Sequence, residues 1–162
     1  MLARIFATES GPHLTLLRLA LAIVLFPHGA QKALAWFGGP GFSATVAGMG
    51  QGFGIPGPLA VVAILTEFVA PLVLLVGLGT RIAAVGVAVL MGVAASFHLP
   101  NGFFMNWLGT QGGEGYEFHV LAIAIALALV IGGGGALSLD REIAARASEP
   151  RGMPTIRLRR AA

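Results

Sequence analysis

The sequence predicts an all-α, polytopic membrane protein: a bundle of four transmembrane helices with both termini on the cytoplasmic side. Three observations predict it. Of 162 residues, 56% are hydrophobic and only 10% charged, against about 25% charged in an ordinary soluble domain, and the mean hydropathy is +0.85. Four runs, near residues 14–35, 58–78, 82–98 and 118–132, are read as long and apolar enough to span a bilayer, which takes roughly 20 residues, and lack the polar face of a soluble helix. The basic residues are segregated. Arg4 precedes the first run, Arg81 lies in the turn between the second and third, and Arg141, Arg146, Arg151, Arg157, Arg159 and Arg160 follow the fourth, whereas 36–57 and 99–117 contain no Lys or Arg. The positive-inside rule then puts both termini and the short turn in the cytoplasm.

The first run, "LTLLRLALAIVLFPHGAQKALA", has the look of a signal peptide, with Arg4 before it and Ala33-Leu34-Ala35 at its end, but is expected to be retained as a membrane helix. The loop that follows, "GGPGFSATVAGMGQGFGIPGP", carries no charge. Its middle, 42–49, is expected to form a short interfacial helix with Phe42, Val46 and Met49 toward lipid, bounded by Gly and Pro breakers. The second run ends in "GLGTR", a turn short enough to force an antiparallel hairpin with the third. The third run is short and is expected to tilt little or end in the interface.

Ala84, Ala88, Gly92 and Ser96 recur at steps of four in the third run, as do Ala124, Ala128 and Gly132 in the fourth. Small residues so spaced allow close helix approach in lipid. They fit a homo-oligomer seam or packing within the bundle, and packing is the favoured reading. Trp36, Trp107 and Tyr116 suit the membrane interface. Ser138 is placed to cap a short amphipathic helix that Pro150 stops, and the last dozen residues are expected to be disordered. Residues 1–140 thus form one membrane domain and 141–162 a basic tail. A pI near 10.6 is explained by that tail against anionic lipid and does not point to nucleic acid.

No cysteine is present, which excludes disulfides, thiolate chemistry, Cys-ligated iron–sulfur clusters and covalent c-type haem. The candidate site comes from polar residues inside apolar runs, which normally face the bundle interior or a water-filled cavity. His28, Gln31 and Lys32, the only lysine, lie together near the end of the first run, and Glu67 lies midway along the second. His98 ends the third, and Glu117 and His119 start the fourth. Pro71 leaves the carbonyl of Glu67 without its helical donor, and Pro27 does the same one run earlier; such backbone is tolerated where it lines a cavity.

A carboxyl near the midplane must be protonated or paired with a cation such as Lys32 or His28, so Glu67, Lys32 and His28 are the candidate catalytic groups. His28, Gln31, Lys32, His98, Glu117 and His119 are the candidate cofactor-binding set. Arg18, Arg81 and Asp140 are expected to form structural ion pairs at the cytoplasmic end. No two of the His and Glu residues have the tight local spacing of a zinc site, and no metal site is assigned; haem between two histidines is weaker still. A quinone headgroup fits this inventory better: its carbonyls need donors such as Lys and His, and its reduction needs a proton path.

At these residues the chain resembles the DoxX family. "LRLALAIVLFPHGAQKALAWFGG" is similar to its first-span signature of Arg, His-Gly and a following Lys; "EFVAPLVLLVGLGTRIAA" resembles its second-span Glu and Gly-Leu-x-Thr-Arg turn; "GGEGYEFHVLAIAIALALVIGGGGALSLD" resembles its fourth-span start and terminal Ser-x-Asp. The similarity covers about residues 12–141 and departs from the common pattern at "GGGG", where many members have Gly-Pro-Gly. It implies a four-helix bundle in a bacterial or archaeal inner membrane, with Arg18, His28, Gly29, Lys32, Glu67, Arg81, Glu117 and Asp140 at motif positions. It also implies a link to membrane oxidoreductase complexes, since the family name comes from subunits of a thiosulfate:quinone oxidoreductase. The expected function is therefore a membrane subunit of a redox system. It would bind quinone in an outward-facing cavity and take electrons from a partner subunit or a small reductant such as thiosulfate. The alternatives are a solute or proton-coupled transporter, or an assembly scaffold.

Overall fold

The computed structural model describes residues 6–148. Arg4, Pro150 and the tail arginines from Arg151 onward lie outside the described residues. The described chain is helical, with no strand among its residues. Helix α1 (Pro12–Leu34) begins on a proline, whose missing N–H costs nothing there, and closes on Ala35 in the left-handed conformation. Next come a 3-10 turn (Trp36–Gly38), helix α2 (Phe42–Phe53), helix α3 (Gly57–Val76) and helix α4 (Thr80–His98). A second 3-10 turn (Leu99–Asn101) precedes helix α5 (Glu117–Gly132), and helix α6 (Leu139–Ser148) ends the described chain.

α1, α3 and the stretch Thr80–Asn101 are each long and apolar enough to cross a membrane. α5 is equally apolar but has only 16 residues, about 24 Å of helix at 1.5 Å per residue. The third span is longer than expected, because it continues through its 3-10 turn to Asn101, and the fourth is the shortest of the set. The four pack in a closed ring in which α1 meets α3, α3 meets α4, α4 meets α5 and α5 meets α1. Leu21, Leu25, Leu74, Val87, Met91 and Leu129 fill its centre. The outward faces carry exposed Ile23, Val62, Val69, Val89, Leu121 and Ile131, an apolar perimeter too continuous for water and suited to lipid tails. The chain is a multi-pass membrane protein.

The small residues divide between these environments. Ala84 and Gly132 are buried, Ala88 and Ala128 are half-buried, and Gly92, Ser96 and Ala124 are exposed. Close packing of α5 runs instead through Ala122 and Ala126.

The two ends of the bundle differ. At the turn end, α3 stops at Gly77 (φ 69), with the Gly77 and Leu78 amides both donating back to α3 carbonyls, a Schellman closure. The α4 start is capped across the fold: the Gly79 and Thr80 amides donate to the Asp140 carboxylate at 2.6 and 2.8 Å, placing an anion at a helix N-terminus. Ser138 accepts from the Arg141 amide, the expected cap of α6. The other end, the loop end, carries α2 and residues 102–116 over the mouth of the ring.

The turn end corrects the expected ion pairs. Arg18, 1% exposed, donates to the carbonyls of Leu74, Leu75, Gly134 and Leu137. Arg81 donates to Ala7 and Val130 carbonyls. Neither arginine contacts Asp140, whose oxygens are taken by the α4 amides. The last carbonyls of α3 lack a full set of helical donors and can accept from Arg18, whereas the carboxylate is already engaged by the α4 amides.

Candidate functional site

The loop end encloses a cavity of about 390 Å³, within the roughly 300–1,000 Å³ of small-molecule sites. Its floor is set by the contact of α1 with α3. A Cβ at Gly29 would lie 2.3 Å from the Glu67 carbonyl oxygen, so glycine lets the two backbones touch where Pro71 removes the usual donor to that carbonyl. Side chains lean toward the N-terminus of their helix. Lys32, one turn beyond Gly29, therefore leans inward, and Glu67 on the antiparallel α3 leans outward to meet it. Lys32 Nζ donates to Glu67 Oε1 at 2.7 Å and Oε2 at 2.5 Å. It is the only salt bridge among the described residues, with side chains 32% and 6% exposed.

The walls are largely apolar. Leu25, Ala63, Leu90 and Met91 line the lower part, and Met49, Phe53, Ile55, Phe97 and Met105 the upper part. Along one side two imidazoles stack, His98 and His119, with ring centres 4.7 Å apart. The His98 Nδ1 lies 2.8 Å from the Glu114 carbonyl. A carbonyl only accepts, so Nδ1 carries the proton and Nε2 of the neutral ring is an acceptor. His119 is buried, and its Nδ1 has no hydrogen-bond partner. His28 is exposed at the cavity edge, its ring 6.3 Å from that of Phe118.

Of the sequence-predicted set, His28, Lys32, Glu67, His98 and His119 converge on this one cavity. Gln31 and Glu117 do not. The Gln31 side chain donates to the Phe37 carbonyl and the Gln31 backbone carbonyl accepts from the Gly41 amide, so the residue anchors the chain reversal after α1. The Glu117 carboxylate accepts from the Met105 amide at 3.0 Å and holds the 102–116 loop. Met49, expected to face lipid, lines the cavity. Glu114 and the aromatic pair Phe53–Phe97 join the site from segments that carried no sequence signal for it. Among the described residues no three His, Cys, Asp or Glu side chains are grouped to hold a metal ion.

A family model, DoxX, matches residues 13–107, more than half of the chain. The chain belongs to the DoxX family. The DoxX match contains His28, Gly29, Lys32 and Glu67, so the floor of the cavity lies wholly within it. The stacked partner His119 and the capping Asp140 fall beyond the matched DoxX residues. No curated protein and no solved structure matches the chain.

Proposed function

We propose that this DoxX protein is an integral subunit of a membrane redox system and binds a quinone headgroup in the loop-end cavity. The observation that carries the reading is the Lys32–Glu67 pair on the floor of an otherwise apolar chamber. An ammonium has three N–H donors, and Glu67 engages two of them. The third is available to a ligand carbonyl, and the His98 and His119 rings on the cavity wall supply further polar groups. These residues fit a flat, neutral ring with oxygen at opposite edges. Such a group, when bound, supplies two-electron, two-proton chemistry.

The chain's own part is to hold the ring and move protons. Lys32 donates to the ring oxygen; Glu67 holds Lys32 in place and takes or gives a proton as that hydrogen bond strengthens; His98 Nε2 and His119 relay toward the loop end. Having no cysteine, the chain takes its electrons from a partner subunit or from a small reductant such as thiosulfate. All four long helices span the bilayer in this reading, with the loop end outside and both termini in the cytoplasm of a bacterial or archaeal cell. Residues 1–140 are the membrane domain, and the basic tail rests on anionic lipid. Transport is the weaker reading. Below the cavity, buried Leu21, Leu74, Val87 and Leu129 and then Arg18 with its four carbonyls leave no polar path to the turn end.

The test is quinone co-purifying with the protein in native-lipid nanodiscs, quantified by mass spectrometry. Wild type is expected to retain close to one quinone per chain, and both Lys32→Ala and Glu67→Gln to lose at least about tenfold in affinity, since charge-assisted hydrogen bonds contribute about 1.5–3 kcal/mol. Equal trace amounts in all three would overturn the reading and favour a scaffold.

A further inference from the structure

We infer that the cavity has a second, apolar subsite: a lateral portal between α3 and α4, closed by Phe53 and Phe97, through which the lipid-soluble tail of the ligand enters and lies. The inference rests on the headgroup reading above and extends it, naming the ligand class as a neutral amphiphile drawn from the bilayer rather than a solute drawn from water.

Three observations carry it. First, α3 and α4 touch at mid-height and part toward the loop end. A Cβ at Gly86 would meet the Thr66 methyl at 3.3 Å, so the helices pack side chain against backbone there. Farther along the same sides, Ala63 of α3 and Leu90, Val93 and Phe97 of α4 line the cavity, so space has opened between the helices. Second, the gap is bridged by side chains and not by a helix. Phe53, the last residue of α2, meets Phe97 with ring centres 4.9 Å apart. Both rings line the cavity, as does Val93, and the three remain accessible at 53%, 36% and 50%. Cavity-lining side chains this accessible mark where the wall is thin.

Third, the gap lies at hydrocarbon depth. Val93 is 13 residues beyond Thr80, the start of α4, about 20 Å along a helix crossing a core of about 30 Å. A ligand passing Val93 passes from lipid and not from water. Charge agrees with this. The floor holds one cation and one anion already in contact, leaving no uncompensated positive charge for a small dianion, whereas an apolar chain meets only Leu, Val, Ala and Phe on the way in.

The chain's lack of cysteine makes the test clean. In nanodiscs, Phe53→Cys/Phe97→Cys is bridged by a short bis-methanethiosulfonate reagent that dithiothreitol removes. The probes are a long-tailed ubiquinone and a tailless benzoquinone with the same ring substituents. Bridging is expected to slow uptake of the long-tailed probe by at least about tenfold, an effect on rate of the size single interface changes produce. Tailless binding should stay unchanged, and dithiothreitol should restore the long-tailed rate. Equal rates for the long-tailed probe with and without the bridge would overturn the portal and leave the headgroup site standing. Loss of both probes on bridging would also overturn it, making the pair a support of the cavity. Binding of neither probe before bridging would overturn portal and headgroup site together.

Discussion

Gly29→Ala is expected to destabilise the bundle by about 3 kcal/mol, the upper end for forcing an extra carbon into a packed core. Helix propensity alone predicts the opposite sign, because alanine is favoured over glycine inside a helix by about 1 kcal/mol. The sign is decided by what the new methyl meets. Its three nearest atoms are the Glu67 carbonyl oxygen and carbon and the Phe68 Cα, at 2.3 to 2.7 Å, all backbone. No rotamer change can clear them, so α1 and α3 must separate. Separation at Gly29 also draws Lys32 away from Glu67, and the variant should lose ligand as well as stability. Gly92→Ala is the control: its Cβ meets nothing within 4 Å, on the lipid-facing side of α4, and it should be neutral or slightly stabilising. Thermal unfolding of the two variants in one detergent checks both signs.

Arg18→Leu is expected to have the larger effect, a loss of at least about 4 kcal/mol, seen as failure to recover monodisperse protein. Arg18 gathers four carbonyls from two segments, the end of α3 and the loop after α5. Leaving buried acceptors unpaired costs roughly 1–3 kcal/mol each. A Cβ at Gly77 would lie 3.0 Å from the same guanidinium carbon and 2.6 Å from the Ser138 Cβ, so the backbone packs closely around Arg18. Arg18→Lys keeps the charge but replaces a planar five-donor fork with a point charge. It should be recovered, with a melting temperature well below wild type. A melting temperature for Arg18→Lys equal to that of wild type would show that charge alone, through the attraction of Asp140, holds this end together.

These two residues show what a sequence makes legible here. The helix set, and the convergence of Lys32 with Glu67, followed from a physical necessity: an ionisable group in an apolar run needs a partner, and few partners were on offer. Arg18 obeyed the same rule but found carbonyls, because helix ends supply acceptors that no count of acidic residues reveals. Gln31 and Glu117 look like site residues for being polar and near Lys32 and His119, yet both serve the chain reversals beside them. Met49 was misplaced because α2 carries Gly48, Gly50 and Gly52, and so many missing side chains leave its apolar face undefined. Phe53 and Phe97 are 44 positions apart; their meeting depends on how α2 folds back, which no local pattern encodes.

The proposed function requires Lys32, paired with Glu67, to bind a neutral headgroup from within the membrane. Lys32 is the protein's only lysine, so lysine labelled with nitrogen-15 gives a single side-chain signal in solid-state NMR of the protein in lipid. Saturating with a ubiquinone carrying carbon-13 at its ring carbonyls should shift that signal and produce a direct nitrogen–carbon dipolar coupling, both absent in Glu67→Gln. An unshifted lysine signal with no coupling at saturating quinone would contradict the proposed function.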